Sequence, residues 1–208
     1  MCCTYNCINT NKPSGKCVKG YGYGNIIDGE NIKYINCLEG KGVCDKWVLI
    51  YAENSFKNPQ NSLNYSLYYF EIKCKFEREL NKGEKYLSVG LKNLSTRNHI
   101  YYSAKQFSIY YNMKNEKIHQ PTPSWNNNDI FGCGLVYPPT NKLTEESPYV
   151  FFTQNGKQIG KATLVKDSYE SPCVWLQCCS IEANFGNNLE SKPFKYDVSN
   201  HLILKESY

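Results

Sequence analysis

The sequence has no long apolar run. Nowhere in its 208 residues do the roughly 20 consecutive apolar side chains of a membrane-spanning helix occur, and the mean hydropathy is −0.57, so a transmembrane helix is excluded. Arginine is nearly absent. Of the 24 basic residues 22 are lysine, and only Arg78 and Arg97 offer the planar fork that grips phosphate or reads guanine. The net charge of +5 therefore comes from scattered lysines, and neither nucleic acid nor membrane is an expected partner. Catalytic sets are missing too. The three histidines, His99, His119 and His201, lie in polar or terminal contexts, and no nucleophile motif surrounds any cysteine. The Gly20-Tyr21-Gly22-Tyr23-Gly24 segment lacks the third spaced glycine of a dinucleotide fingerprint and the lysine of a phosphate loop, and reads as the entry to a first strand. No C-x-x-C pair is present, so the groups Cys2, Cys3, Cys7, Cys17 and Cys37, Cys44 do not make a zinc site. The reading is a protein that is not an enzyme and that carries no metal and no cofactor.

What is present argues for a folded chain. Hydrophobic residues make up 41% and aromatic residues 14%, against 21% charged, a mixture that buries too much apolar surface to stay disordered. At this length one domain is expected, with residues 1–20 as a polar, cysteine-rich arm and residues 21–208 as the domain. The eleven cysteines are odd in number, and Cys74 and Cys133 fall at positions that alternation buries. The residues after Met1-Cys2-Cys3 run through Asn9, Thr10, Asn11, Lys12 and Pro13 without the apolar core of a signal peptide. Reduced thiols and a cytoplasmic location follow as expectations. Asn64-Tyr65-Ser66 and Asn93-Leu94-Ser95 are glycosylation tripeptides that arise readily by chance in an asparagine-rich chain. The alternative is a secreted, disulfide-containing effector or lectin-like sandwich that binds a host protein or glycan.

Periodicity points to strands. Tyr68, Phe70, Ile72, Cys74 and Phe76 alternate with Glu71, Lys73, Lys75 and Glu77, and Leu87, Val89 and Leu91 resume the pattern after Asn81-Lys82-Gly83, which predicts a hairpin. A second hairpin is predicted where Asn155-Gly156 separates Val150-Phe151-Phe152-Thr153 from Gln158-Ile159-Gly160, because Asn-Gly adopts the positive φ angles of a tight turn. Cys173 to Gln177 and Ile181 to Phe185 form another pair of strands, and shorter runs occupy Lys46 to Tyr51, Ile130 to Tyr137 and His201 to Leu204. No dozen-residue window carries an apolar face at helical spacing. Many short strands with turn signals predict an all-β sandwich or barrel. Residues 92–128, rich in tyrosine and proline, read as long loops with one or two edge strands.

The ordered motifs resemble a SPRY domain, most of all its Ran-binding-protein subgroup. They run in sequence as Tyr69-Phe70-Glu71-Ile72, Ser88-Val89-Gly90-Leu91, Asn128-Asp129-Ile130-Phe131-Gly132-Cys133-Gly134-Leu135, Val150 to Gly160, Pro172-Cys173-Val174-Trp175-Leu176, Ile181-Glu182-Ala183-Asn184-Phe185-Gly186 and Pro193-Phe194. The resemblance is tight over residues 68–194 and looser over 36–53. It implies a bent antiparallel sandwich without catalytic residues, whose loops at one end bind a peptide or a partner protein, as a substrate-recognition adaptor does. The subgroup's Gly-Trp pair and Tyr-Gly-Tyr segment are replaced here by the stretch from Tyr101 to Trp125, and the loop between Gln177 and Ile181 is short.

Aromatic side chains are the remaining candidates for partner binding. Trp175 lies between Val174 and Leu176, so it falls on the face opposite to theirs, either open as an anchor or covered by a loop or the N-terminal arm. Tyr101, Tyr102, Tyr110, Tyr111 and Trp125 lie in the expected loop region and, with Cys178 and Cys179 in the strand-to-strand loop, complete the candidate set for a protein or peptide ligand. A monomer is expected.

Overall fold

The computed structural model describes residues 16–35, 45–76, 85–111, 114–117, 124–140 and 146–204. Fourteen strands run along them: β1 (Lys16–Lys19), β2 (Tyr23–Ile26), β3 (Asn31–Ile35), β4 (Val48–Tyr51), β5 (Ser66–Phe76), β6 (Tyr86–Lys92), β7 (His99–Ser103), β8 (Ser108–Tyr111), β9 (Lys114–Lys117), β10 (Ile130–Tyr137), β11 (Tyr149–Gln154), β12 (Lys157–Leu164), β13 (Ser171–Gln177) and β14 (Cys179–Asn184). They form an eight-stranded sheet ordered β1-β2-β3-β14-β5-β10-β11-β12 and a six-stranded sheet ordered β4-β13-β6-β7-β8-β9, with antiparallel neighbours in both. The architecture is the expected all-β sandwich. Among the described residues no α-helix occurs, and no helix is long and apolar enough to cross a membrane. The end of the expected arm, Lys16–Lys19, pairs with β2 as an edge strand, while residues 1–15 lie outside the described residues.

Alternation builds the interior. Phe70, Ile72 and Cys74 of β5 and Phe131, Cys133 and Leu135 of β10 face Leu87, Val89 and Leu91 of β6 and Val174 and Leu176 of β13, each almost fully buried. Removing any of these large side chains leaves a cavity between close-packed sheets. A second, smaller cluster lies on the opposite face of the eight-stranded sheet. There Tyr69, Val136, Tyr149 and Phe151 are covered by Phe194, Tyr196, Val198 and Ile203 of the C-terminal segment. Strand β11 is thereby buried on both faces, which is why Phe151 and Phe152 stand side by side in the sequence and are both inaccessible.

Turn chemistry decides some connections and misleads at others. The Asn155-Gly156 hairpin forms as expected between β11 and β12, with φ of +51° and +80° at the two turn residues. The hairpin expected around Asn81-Lys82-Gly83 does not form. Strand β5 pairs with β10 and β14, and β6 pairs with β13 and β7 in the other sheet, while Asn81-Lys82-Gly83 lies outside the described residues; alternation marks a buried face without saying which sheet owns it. The stretch expected to be long loops with one or two edge strands carries three strands, β7, β8 and β9. The run from His201 to Leu204 is not a strand and packs as an irregular segment.

Candidate functional site

Inner and outer positions alternate along the six-stranded sheet, and the outer ones gather an aromatic cluster. The register places Cys173 opposite Tyr51 and Gly90, Gly90 opposite Tyr101, and Tyr101 opposite Tyr110, so these positions form one cross-strand row on the face turned away from Val89, Val174 and Tyr102. Tyr101 and Tyr110 stack with centroids 4.9 Å apart and planes 12° apart. On its other side Tyr101 meets Trp175 at 4.9 Å, and Trp175 meets His99 edge-on at 5.0 Å. The ring of His99 stacks on Tyr51 at 6.3 Å, with Nε2 3.4 Å from the Tyr51 hydroxyl, and the Lys92 ammonium lies 4.4 Å from the centre of the Tyr51 ring. Five rings from four strands thus form a continuous surface, each pair within the range where aromatic contacts add to area burial.

Small residues on β6 make this contact possible. Trp175 is on β13 and Tyr101 on β7, with β6 between them, so the two rings meet only because β6 presents Ser88 and Gly90 at those positions. A Cβ on Gly90 would stand 2.6 Å from both Cα and Cβ of Tyr101 and 2.1 Å from the Ile100 carbonyl oxygen. Ser88, Ser103 and Ser108, which continue the row from Trp175, are buried although they occupy outer positions.

The electrostatics of the cluster favour neutral groups. Burial, with Tyr86 and Tyr110 nearby, pushes the Tyr101 hydroxyl up to about 12. Burial also raises Tyr51, with Cys173 adding to the shift, and lowers His99, helped by the Lys92 charge. The buried Cys173 thiol is pushed well up by desolvation, against a smaller opposing effect of Lys92, so it is held as an unreactive thiol. The surface therefore offers ring faces and edges, neutral hydroxyls and imidazole, and one ammonium. Such a set suits contact with another surface through π-faces and hydrogen bonds.

Of the residues singled out from the sequence, Trp175, Tyr101 and Tyr110 come together here: Trp175 on the outer strand face that its parity predicts, and Tyr101 and Tyr110 on the same sheet face instead of on loops. The others do not join them. Tyr102 points inward and packs against Phe131 and Phe152 at 6.1 and 6.2 Å. Tyr111, on the same inner face, meets Tyr169 edge-on at 5.9 Å. Trp125 packs edge-on against Phe76 at 5.4 Å, at the margin of the core. Cys178 and Cys179 are fully buried, which corrects the expectation of an accessible loop pair. Cys178 is the single residue between β13 and β14, at φ +55°, where the chain crosses from one sheet to the other; Cys179 opens β14 and its thiol donates to the Tyr86 carbonyl oxygen at 3.3 Å. A connection this short has no room to project side chains into solvent. Cys74, Cys133, Cys173 and Cys179 are buried free thiols, whereas Cys2, Cys3, Cys7, Cys37 and Cys44 lie outside the described residues. Asn93, in one of the glycosylation tripeptides, is buried and accepts from the Ser95 and Thr96 amides.

Sequence reasoning missed Tyr51 and His99. Both were readable in principle: each stands at the outer parity of an alternating strand, and His99 lies directly across from Lys92 in the register. A further exposed pair, Tyr21 and Trp47, meets at 4.5 Å with ring planes tilted by 60° beside the β4 edge, with Tyr21 69% exposed.

No protein-family model matches this chain, and no curated protein matches it. Among solved structures, it is similar to the SPRY domain of human HERC1, with a TM-score of 0.52 and 14% identity over 79% of this chain and 94% of that one. A carbohydrate-binding module from Bacillus subtilis, CBM66, aligns at a TM-score of 0.41 and 9% identity over 82% of this chain and 89% of that one. The two-sheet topology and the first of these similarities together show that the chain has a SPRY-like β-sandwich fold.

Proposed function

We propose that this protein is a non-catalytic recognition module of the SPRY type, of the Ran-binding-protein-like subgroup, that binds a peptide or a partner protein as a cytoplasmic adaptor. The observation that carries the reading is the continuous ring surface of Tyr110, Tyr101, Trp175, His99 and Tyr51 on the outer face of the six-stranded sheet. Clustered Tyr and Trp on a rigid sheet supply large contact area with few rotamers to freeze, which is the usual make-up of an interface hot spot. This reading puts the binding face on the sheet surface, where the family resemblance implied the loop end. Burial of Cys173 beneath this surface, with its thiol held protonated, leaves the cluster without a nucleophile and supports a binding role.

The test is affinity capture from a lysate of the protein's own source, with intact protein and with Trp175→Ala and Tyr101→Ala variants that retain the wild-type melting profile. A partner retained by the intact protein and lost by both variants supports the reading. A partner held equally by all three places the interface elsewhere.

A further inference from the structure

We propose that residues 193–204 form a pH-sensitive strap, latched by His201 across the outer face of the eight-stranded sheet. The segment has two anchors. At its start the buried Glu71 carboxylate accepts from the amides of Lys195 and Tyr196 at 2.8 and 2.9 Å, and from the Tyr69 hydroxyl at 2.9 Å. At its end the His201 ring lies flat on Phe151, with centroids 4.0 Å apart and planes 20° apart. The imidazole is clamped on both nitrogens: Nε2 is 3.0 Å from the Tyr149 hydroxyl and Nδ1 is 2.7 Å from the Tyr196 hydroxyl.

The neutral ring matches this clamp in either tautomer, because one nitrogen donates to its tyrosine oxygen and the other accepts that tyrosine's proton. The Tyr149 oxygen also accepts from the Leu204 amide at 3.2 Å, which ties the end of the segment to the same hydroxyl. Protonation makes both ring nitrogens donors. One phenolic proton must then turn away from the ring, and an imidazolium is left in a site where burial already disfavours charge.

The groups facing this ring are Tyr149 and Phe151 from β11 and Tyr196 from the strap itself, with Asp197 next to Tyr196 in sequence. Asp197 is occupied by the Ser199 and Asn200 amides and side chains, which hold its carboxyl below the usual range. Two other carboxylates contact the strap or its surroundings: Glu71 at the first anchor, and Glu146, which accepts from the Tyr65 hydroxyl in the hollow that Tyr149 and Leu204 also line. A latched His201 has a lowered pKa, whereas a released one titrates near 6.5. The latch is thus fully engaged above about pH 6.5 and weakens as the pH falls below it, which would free Tyr69, Tyr149 and Phe151 from their cover.

The experiment is hydrogen exchange of the full chain at pH 7.5 and pH 5.0, read over peptides covering residues 193–204 and corrected for intrinsic rates. Protection of the strap should fall between about threefold and about 30-fold at the lower pH, the upper bound being set by an imidazole that titrates near 6.5 when released and stays neutral when latched. His201→Gln and His201→Phe should flatten this dependence. Equal corrected protection at the two pH values in the wild type overturns the proposal, and so does an undiminished dependence in both variants, which would assign it to Glu71 or Glu146. A measurement that needs no variant is the proton-NMR titration of the His201 ring: a midpoint below 6.5 agrees with the latch, and one at or above 6.5 refutes it.

Discussion

The two outer faces of the sandwich carry similar chemistry and meet different surroundings. On the eight-stranded sheet, Tyr69 stacks on Phe151 at 5.9 Å, and both are sealed beneath Phe194, Tyr196 and His201. On the six-stranded sheet, Tyr101 contacts Tyr110 and Trp175, each at 4.9 Å, yet all three remain partly exposed, and Tyr51 is 40% exposed. The rings themselves do not distinguish a core from an interface. Among the described residues, what distinguishes them is that residues 193–204 fold over one face and no such segment covers the other.

Substitutions can break this comparison. The largest effect is expected for Phe151→Ala, which should cost about 3–5 kcal/mol in a denaturant melt, as should Phe152→Ala in the main core, because each opens a cavity in a fully buried layer. Should Phe151→Ala prove as mild as a surface change, the covered face would not be a core. Next comes Gly90→Ala. Its added methyl has to displace the Tyr101 backbone, at a cost of about 1–3 kcal/mol, and the same melt should show it alongside weakened partner capture.

Trp175→Ala sharpens the contrast from the other side. It should weaken partner binding by about 1 kcal/mol or more, measured by titration calorimetry once the partner is in hand, while shifting the melting temperature by only a few degrees. A large loss of stability with unchanged affinity would make Trp175 a packing residue. The smallest effect concerns His99. Burial and Lys92 lower its pKa in the folded state, so its contribution to stability is complete above about pH 6.5 and fades as the pH falls below that value. Melting curves at pH 7.5 and 5.5 should show a steeper loss in wild type than in His99→Gln, and identical slopes would exclude the proposed ring environment.

Much of this arrangement was legible in the sequence. Alternation along Phe70, Ile72 and Cys74, and along Leu87, Val89 and Leu91, marked the core face of two strands, and Asn155-Gly156 specified its turn, because both signals are local. The parity of Trp175 relative to Val174 and Leu176 put it on the outer face. Strand partners were not legible. Asn81-Lys82-Gly83 looks like a hairpin turn, and nothing local records that β5 is claimed by β10 and β14. Tyr101 and Tyr102, alike in sequence, point to opposite faces, and in a stretch without clear periodicity nothing local says which tyrosine of each pair faces out.

By itself the sequence determined the class of fold, the burial period of its longest strands and the turn at Asn155-Gly156, since each depends on side chains a few residues apart. Which strands share a sheet depends on contacts between distant segments. So does the meeting of Trp175 with Tyr101 across Gly90, and the closing of His201 over Phe151. Those pairings join residues 74 and 50 positions apart, and only the packed sheets bring them within reach.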